Sequence, residues 1–488
     1  MLYKQWDWVL IGEIVYVIVL IIVCLRIIYD TRTSTKALAY LLFAVFVPFV
    51  GIIFYFSVGI NYRKRKLYSK KFFADDAFQR QLEIDIKRST VKAINSDTPE
   101  IRQNKELAYL LLKDNLSPLT EKNKVKLLFN GEEKFPEVLQ ALEAAKHHIH
   151  IEYYIFEDDT IGNSIKDILI KKAKEGIEVR FIYDDFGSRS IRRKLIPQLC
   201  KNGVEAYPFY KILFIPFANR LNYRNHRKII IIDGVTAFTG GINVSDRYIN
   251  SPKNKNEYFW RDTHLRIDGA GCKYLQYLFM CDWNFCSDNK LHPNYLYFPD
   301  SPVFNTDTAV QIAASGPDSQ TPGILFSLLQ AINLAQKEIL ITTPYFIPGE
   351  SLLDALIVAS LSGVNVKLLV PGISDSRLVN AAAHSYYDDL LEAGVEIYLY
   401  QKGFIHAKTL VADGKLAAVG TANMDYRSFD LNFEVNAFIY DSEIASELTM
   451  AFYRDLNNAE KIDRDRWEKR AFIKFMFEKT ARMLSPLL

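Results

Sequence analysis

Two long apolar runs open the sequence, Trp8–Ile28 and Ala37–Ile60. Each is about as long as the roughly 20 residues that a helix needs to cross a bilayer. Glu13 and Arg26 interrupt the first run, but Arg26 lies near one end, where a long side chain can reach the lipid head groups. A cleaved signal peptide fits less well, because the run is long, has no basic leader and is followed by a second apolar run. We therefore expect residues 1–62 to form a membrane hairpin of two helices.

A cluster of six basic residues follows the second run: Arg63, Lys64, Arg65, Lys66, Lys70 and Lys71. Positively charged flanks stay on the cytoplasmic side of a membrane. The pattern thus predicts a multi-pass protein of the cell membrane whose large remaining part lies in the cytoplasm, although Arg32 and Lys36 in the linking loop count against that orientation. Two interpretations of the cluster stay open: a topology signal alone, or also a patch that attracts anionic lipid head groups.

From position 125 onward, apolar strand patterns alternate with amphipathic helix patterns, and the series occurs twice; Val125–Phe129 and Val310–Ala314 are equivalent strands. Alternating strands and helices are typical of a mainly parallel sheet with helices on both faces. We predict a tandem duplication of an α/β unit, with halves at residues 125–300 and 301–460. A charged, helical connector at residues 63–124 joins them to the hairpin.

Two apolar segments fall outside this repeat. The first half carries 11 extra residues between Gly203 and His226, a segment rich in apolar side chains: Phe209, Tyr210, Ile212, Leu213, Phe214, Ile215 and Phe217. This insert is either an ordinary core segment or a loop beside the active site that touches acyl chains or the membrane surface. The tail at residues 461–488 mixes aromatic and basic side chains, so it either lies on an anionic membrane surface or packs on the catalytic body.

The charge balance, 60 basic against 57 acidic side chains, is close to neutral and does not favour a general nucleic-acid binder. The five cysteines show no paired spacing, which argues against a disulfide framework or a zinc site and fits a reducing setting. His147, His148 and His150 are clustered, but a strand would split them between its two faces. We predict no metal and no cofactor.

One short motif occurs twice, 180 positions apart: His, one residue, Lys, four residues, Asp. Its two copies form the candidate catalytic set: His226, Lys228, Asp233, His406, Lys408 and Asp413. Each copy ends a buried strand pattern, turns at Asp-Gly and leads to a second strand that closes with Gly240–Asn243 or Gly420–Asn423. Two copies in equivalent surroundings argue against coincidence.

Two imidazoles brought together by a duplication can exchange a phosphodiester in two steps. One neutral imidazole attacks phosphorus and forms a phosphohistidine, while the other, protonated, donates to the leaving oxygen. Lys228 and Lys408, with the phosphate-binding amides of Asn243 and Asn423, would hold the non-bridging oxygens and stabilise the transition-state charge. Such chemistry requires no metal.

Each imidazole also needs an acceptor on its other nitrogen to fix its tautomer. Asp262 and Glu434 are the candidates for orienting the histidines, each on a strand downstream of its motif. Asp233 and Asp413 precede glycine at a strand end, so turn formation explains them. We expect these two aspartates to be structural supports more than proton carriers.

The duplicated motif resembles that of the phospholipase D superfamily, and the closer similarity is to bacterial cardiolipin synthases. It extends over nearly the whole chain and includes five further segments: Ile151–Phe156, Tyr183–Ser188, Asn222–Lys228, Thr343–Phe346 and Ser485–Leu488. The resemblance implies a tandem phospholipase D-like mixed sheet sandwiched by helices. It also implies a membrane-embedded enzyme whose partners are phosphatidylglycerol and other anionic membrane lipids, not nucleic acid.

The implied reaction converts two phosphatidylglycerol molecules to cardiolipin and glycerol. By family analogy His226 takes the phosphatidyl group while His406 protonates the departing glycerol and then deprotonates the second lipid. Two alternatives are a membrane-bound phosphodiesterase that hydrolyses lipid and a non-catalytic lipid-binding scaffold. The scaffold is disfavoured because both histidines and both lysines are present. The sequence does not specify the oligomeric state.

Overall fold

The computed structural model describes residues 8–31, 34–47, 49–56, 76–211, 223–250 and 258–485. The basic cluster at residues 63–71, most of the apolar insert and the last three residues lie outside the described residues. The described residues form an N-terminal helical segment, a helical connector, two α/β halves and a C-terminal tail.

The N-terminal segment contains three helices: α1 (Trp8–Asp30), α2 (Ser34–Phe46) and α3 (Val50–Phe54). Of the helices that the structure describes, α1 alone is long and apolar enough to cross a membrane, over Leu10–Asp30. The prediction of two membrane helices is therefore wrong for the second one. The 13 residues of α2 span about 20 Å, less than the roughly 30 Å of a bilayer's hydrocarbon core. Pro48, a residue type that cannot continue a helix, stands between α2 and α3 in the sequence.

The connector contains α4 (Asp76–Ile94), α5 (Pro99–Gln103) and α6 (Lys105–Asn115). Leu107, Ala108 and Leu111 of α6 are fully buried in the same apolar cluster as strands of the second half. Gln311 of that half donates from its side-chain amide to the carbonyl of Ala108 at 3.1 Å. The connector thus packs as part of the outer layer of the second half.

The first half follows the order β1 (Lys124–Phe129), α7 (Asn130–Glu143), β2 (His148–Tyr153), α8 (Thr160–Lys174), β3 (Glu178–Tyr183), α9 (Leu195–Lys201), β4 (Glu205–Pro208), β5 (Lys228–Ile232), β6 (Thr236–Gly240), β7 (Phe259–Arg261), β8 (Thr263–Asp268) and α10 (Cys272–Cys286). Its sheet has the strand order β1-β8-β6-β5-β2-β3-β4. β2, β3 and β4 pair in parallel, and the other neighbours pair antiparallel.

The second half follows the order β9 (Ala309–Ser315), α11 (Gly323–Leu334), β10 (Glu338–Thr342), β11 (Phe346–Ile347), α12 (Glu350–Leu361), β12 (Asn365–Pro371), α13 (Arg377–His384), α14 (Tyr387–Glu392), β13 (Glu396–Tyr400), β14 (Gly403–Ile405), β15 (Thr409–Ala412), β16 (Leu416–Gly420), β17 (Met424–Asp425), α15 (Tyr426–Asp430), β18 (Glu434–Tyr440), α16 (Ser442–Leu456) and β19 (Ala459–Lys461). Its sheet has the order β19-β13-β12-β10-β15-β16-β18-β9, which repeats the first sheet and adds one edge strand. The tandem duplication is confirmed.

Both sheets are mixed, so the expectation of a mainly parallel sheet is wrong. The Asp-Gly turn after each motif joins two antiparallel strands, β5 with β6 and β15 with β16. A turn this short can form only a hairpin, because parallel neighbours need a long crossover. The parallel character is confined to the three strands on the other side of each motif strand.

The two halves share one buried apolar cluster. Ile229 and Ile231 of β5 pack in it together with Val411 of β15 and Val435 of β18. β7 of the first half also pairs in parallel with β14 of the second half, so a backbone ladder crosses between them. The motif strands of the two halves therefore face each other across a common core.

The insert and the tail both contribute to packing. Phe209, at the start of the insert, is buried against Phe433 with ring centroids 4.8 Å apart. The tail forms α17 (Arg464–Glu468) and α18 (Phe472–Leu484). Arg470 binds Asp388 and Glu478 at 2.8 and 2.9 Å, which ties the tail to the body. The outer face of α18 exposes six large apolar side chains: Phe472, Ile473, Met476, Phe477, Met483 and Leu484.

Candidate active site

Both motif histidines lie where the two halves meet. The backbone N–H of His226 donates to the carbonyl of Phe433 at 3.0 Å, and the N–H of His406 donates to the carbonyl of Arg261 at 2.7 Å. Each histidine is thus held by a strand segment of the opposite half. Both side chains are 11% exposed, so the imidazoles line an enclosed site that keeps a small opening.

Each imidazole bonds to the carboxylate of the opposite half. Nδ1 of His226 lies 2.9 Å from Oε2 of Glu434, and Nδ1 of His406 lies 2.7 Å from Oδ2 of Asp262. Both carboxylates are fully buried. An Nδ1–H that donates to a carboxylate leaves Nε2 free for chemistry. The structure therefore brings the two predicted orienting acids to the histidines, in a crossed arrangement.

The charge of Glu434 is maintained despite its burial. Burial acts to raise its pKa, but the nearby His226 and Lys228 and the hydrogen bonds to the carboxylate outweigh that effect, so the pKa lies below its usual value. Thr421 donates its hydroxyl to one carboxylate oxygen, and Asn432 donates its amide to the other at 3.1 Å. These two donors fix the carboxylate in position independently of the imidazole.

The lowered pKa values of both imidazoles favour their neutral forms at neutral pH. Burial lowers the pKa of His226 to about 4 and that of His406 to about 3, although the paired carboxylates act in the opposite direction. A neutral imidazole is the form that attacks phosphorus. A bound phosphate would add negative charge beside the rings and favour the protonated form that an acid catalyst needs.

Both motif lysines point into the same enclosed region. Nζ of Lys228 donates to the carbonyl of His226 at 2.9 Å, and Nζ of Lys408 donates to the carbonyl of His406. Burial lowers the pKa of Lys228 to about 7 and that of Lys408 to about 8, while the carboxylates of Glu434 and Asp262 act to raise both. Two partly desolvated ammonium groups that repel each other form a site in which an anion is stabilised.

The two asparagines are buried but already have partners. Asn243 donates its amide to the hydroxyl of Tyr248 at 2.8 Å, and Asn423 donates to Asp425 at 3.1 Å. A side-chain amide carries two N–H groups, so each asparagine retains one for a phosphate oxygen. Their phosphate-binding role stays a prediction.

Asp233 and Asp413 lie at the far end of their strands from the histidines. Both have a left-handed backbone, with φ of 52° and 55°. The carboxylate of Asp233 accepts three backbone N–H groups, from residues 146–148, at 2.8 to 3.0 Å. Asp413 accepts the equivalent three, from residues 336–338. This placement supports a structural role at the entry of β2 and β10, and it does not bring the aspartates together with the imidazoles.

Two buried Arg–Asp pairs behind the site were not predicted. Arg227, which directly follows His226, binds Asp282 with both side chains fully buried. Arg261, which directly precedes the carboxylate that orients the other histidine, binds Asp455 at 2.8 Å. Asp282 and Asp455 occupy equivalent positions in α10 and α16. This repetition of an aspartate in the two halves is the feature of the sequence from which the pairs could have been predicted. Each pair anchors one side of a histidine–carboxylate unit from behind.

The histidine cluster near β2 is part of the core. His148 and His150 are fully buried, and both contact Oε1 of Gln276, at 3.3 and 3.2 Å. Burial lowers the pKa of His148 to about 4, so it stays neutral. Among the described residues, no group of three or more metal-binding side chains is arranged to hold a metal ion.

Two copies of one α/β unit that place paired histidines and lysines in a shared site define a phospholipase D-like protein. A phosphatidylserine synthase of Haemophilus influenzae has the same fold, with a TM-score of 0.57 and 14% sequence identity over 78% of this chain and 100% of that one. Residues 138–264 and 328–456 each match the family described as cardiolipin synthase, PLD-like domain, and residues 14–59 match the phospholipase D-nuclease N-terminal family.

Curated relatives agree over nearly the full length. The cardiolipin synthase of Alkalihalophilus pseudofirmus is 40% identical, over 98% of this chain and 93% of the relative. The major cardiolipin synthase ClsA of Bacillus subtilis is 41% identical, over 94% and 95%. The chain therefore belongs to the cardiolipin synthase family, and the resemblance inferred from its motifs is confirmed.

Proposed function

We propose that this protein makes cardiolipin by transferring the phosphatidyl group of one phosphatidylglycerol to the terminal hydroxyl of another, with release of glycerol. Membership of the cardiolipin synthase family supports the substrate and the product. The observation that carries the chemistry is the crossed pairing of His226 with Glu434 and of His406 with Asp262, because it leaves two Nε2 atoms available to one phosphorus.

In the first step Nε2 of one histidine, His226 by family analogy, attacks phosphorus. The bond from phosphorus to the glycerol oxygen breaks, and Nε2–H of His406 gives its proton to that oxygen, so neutral glycerol leaves. In the second step His406, now neutral, takes the proton of the second lipid's hydroxyl. That oxygen bonds to phosphorus, the phosphorus–nitrogen bond breaks and His406 is protonated again.

Lys228 and Lys408 would stabilise the negative charge of the phosphate oxygens in both steps. Their ammonium groups would bind the non-bridging oxygens, whose negative charge increases in the five-coordinate transition state. Because both lysines are fully buried, little water screens this interaction. Loss of one donor of this type costs roughly 3 to 4 kcal/mol in other enzymes.

The reaction takes place at the cell membrane, with the two halves on the cytoplasmic side. α1 is long and apolar enough to anchor the chain. The basic cluster at residues 63–71 supports the cytoplasmic orientation. The apolar outer face of α18 adds a second surface for lipid, with Phe472 and Ile473 exposed by 73% and 83%. A second phosphatidylglycerol is then always close to the phosphohistidine and competes with water.

The direct test uses the full chain in phosphatidylglycerol vesicles, with lipid mass spectrometry as the readout. The unchanged protein should form cardiolipin and glycerol, and His226→Ala and His406→Ala should form neither. His292→Ala is the matched control, because His292 is exposed, and it should keep full activity. Phosphatidic acid as the sole lipid product would establish a hydrolase, and no turnover would establish a binding scaffold; either result contradicts the proposal.

A further inference from the structure

Cardiolipin contains two phosphodiesters joined by one glycerol, so the acceptor lipid brings a phosphate of its own into the site. During transfer, this second phosphate lies three carbons and two ester oxygens from the reacting phosphorus. In the proposed mechanism the two histidines and two lysines bind the reacting phosphate, and none of them is assigned to the second phosphate. The inference below rests on the proposed function and concerns where the second phosphate binds.

Three arginines lie on the His226 side of the site: Arg224, which is buried, Arg427, which is half-buried, and Arg189, which is exposed. The guanidinium groups of Arg224 and Arg189 lie 4.0 and 4.2 Å from the ring centroid of Phe186, so one ring carries two cations. Arg427, in α15, is half-buried nearby. Within the described part of the chain, no carboxylate lies at ion-pair distance from any of the three. By contrast, Arg227 and Arg261 each bind an aspartate.

The backbone places Arg224 and Arg427 at the catalytic residues. Arg224 is 8% exposed, and its carbonyl accepts the N–H of Phe433, the residue before Glu434. The carbonyl of Arg427 accepts the N–H of Asn432, whose side chain holds the same Glu434. The two arginines thus flank one histidine–carboxylate unit from opposite halves of the chain.

Tyr154 links this cluster to the imidazole. Its ring lies 4.7 Å from the ring of His226, between centroids. Burial raises the pKa of Tyr154, and the positive charges of Arg224 and Arg427 act in the opposite direction. Both guanidinium groups therefore lie within electrostatic range of a hydroxyl that borders the catalytic ring.

The internal duplication shows that this cluster belongs to one side of the site. The residue two positions before each motif histidine is Arg224 in the first half and Phe404 in the second. Four positions after each motif asparagine, Arg427 of the second half corresponds to Arg247 of the first, and Arg247 is paired with Glu157 at 3.6 Å. The rings of Phe404 and Trp260 instead surround His406, 5.9 and 5.6 Å from its imidazole. One side of the site is cationic and the other aromatic.

We propose that Arg224 and Arg427, with Arg189 at the rim, bind the phosphodiester of the acceptor phosphatidylglycerol. A planar guanidinium matches two oxygens of a phosphate, and stacking on Phe186 fixes the orientation of two of the three groups. In the proposed mechanism both histidines act on the same phosphodiester, so a site that flanks His226 is within reach of the glycerol tether whichever histidine carries the adduct.

The test compares two soluble acceptors at equal concentration, with phosphatidylglycerol vesicles as donor. The glycerol is deuterium-labelled, because its transfer product is phosphatidylglycerol and only the label distinguishes that product from the donor by mass. Glycerol carries no phosphate, whereas glycerophosphoglycerol carries the phosphodiester and the same terminal hydroxyl. The unchanged protein should prefer glycerophosphoglycerol. Arg224→Gln and Arg427→Gln should each lower the ratio of the two products by about 10-fold or more, because one charge-assisted contact is lost. Arg224→Lys should restore part of the ratio.

Transfer to glycerol serves as the internal control for folding and for the chemical steps, and Arg247→Gln is the control matched by the duplication. The inference is overturned if the ratio stays constant in the two arginine variants, if both products fall equally, or if Arg247→Gln changes the ratio as much as Arg427→Gln. If the unchanged protein forms phosphatidic acid and neither transfer product, the proposed function itself has failed, which is a distinguishable result.

Discussion

The crossed pairing predicts that each buried carboxylate controls the histidine of the other half. Replacing Glu434 with glutamine should disturb His226 and leave His406 unchanged. Replacing Asp262 with asparagine should do the reverse. The amide keeps the size of the side chain, and its one oxygen can still accept from either Thr421 or Asn432, so the main change is loss of the negative charge.

The magnitude follows from the contact that is altered. A hydrogen bond to a charged group contributes roughly 1.5 to 3 kcal/mol, and about 1.4 kcal/mol is a factor of ten in rate. Both pairs are buried, at 2.9 and 2.7 Å, so the upper part of this range applies. We expect kcat for cardiolipin formation to fall by about 40- to 150-fold in either variant.

Nitrogen-15 spectra of the histidines at neutral pH show which ring is affected, because they distinguish an imidazole protonated on Nδ1 from one protonated on Nε2. In Glu434→Gln the signals of His226 should lose the fixed Nδ1–H form, while those of His406 stay constant. Glu152→Gln is the matched control: its carboxyl is fully buried, and burial together with the neighbouring Asp282 raises its pKa, which favours the uncharged form that an amide resembles. The reasoning is refuted if Glu434→Gln alters His406 and not His226.

Three further predictions address the lysines, the supporting ion pairs and the tail. Inorganic phosphate should raise Tm more at pH 6 than at pH 9, because the lowered pKa values of Lys228 (about 7) and Lys408 (about 8) mean that both ammonium charges are lost in between; equal shifts would contradict this. With no phosphate, the same two groups should make the protein more stable as pH rises above 7, since folding favours their neutral form. Asp282→Ala should destabilise the protein by about 3 to 5 kcal/mol in denaturant unfolding, because its fully buried arginine partner loses the carboxylate of this ion pair; a loss below 1 kcal/mol would argue against it. Ile473→Glu should lower turnover on vesicles but not on detergent-dispersed lipid, whereas Gln140→Glu, at an exposed polar position of α7, should change neither; equal effects of the two would count against membrane contact.

Local chemistry made much of the fold predictable from the sequence. The Asp-Gly turns, the repeated strand patterns and the two motifs define each half because they depend on neighbouring residues. The second membrane helix was predicted wrongly, because hydropathy over positions 37–60 does not show where a helix ends; Phe49, with φ of 62°, starts a separate short helix. The alternation of strands and helices predicted a mainly parallel sheet wrongly, because strand direction depends on partners far away in the chain; the mixed sheet implied by the family resemblance is confirmed.

In the candidate site, too, the features that depend on local sequence were predictable and those that depend on distant contacts were not. The sequence predicted His226, His406 and both orienting acids by residue type and by setting, and the structure brings each acid to one imidazole. It did not show that each acid binds the histidine of the opposite half. That arrangement depends on the pairing of β7 with β14 and on the β-bridge between Asn225 and Phe433. Such contacts join residues about 150 to 200 positions apart, and no local pattern specifies them.

Because each histidine pairs with the acid of the other half, duplication alone would not have produced the site. Each half supplies the histidine of one pair and the acid of the other, and the backbone N–H of each histidine is bound by the opposite half. Neither half can therefore fix its own imidazole, and selection acts on the two copies as one unit. Once both copies are retained, the residues next to the two histidines can diverge. Arg224 lies beside His226 and Phe404 beside His406, so two equivalent histidines have different substrate-binding surfaces. A reaction that joins two identical lipids in unequal roles, donor and acceptor, requires that asymmetry.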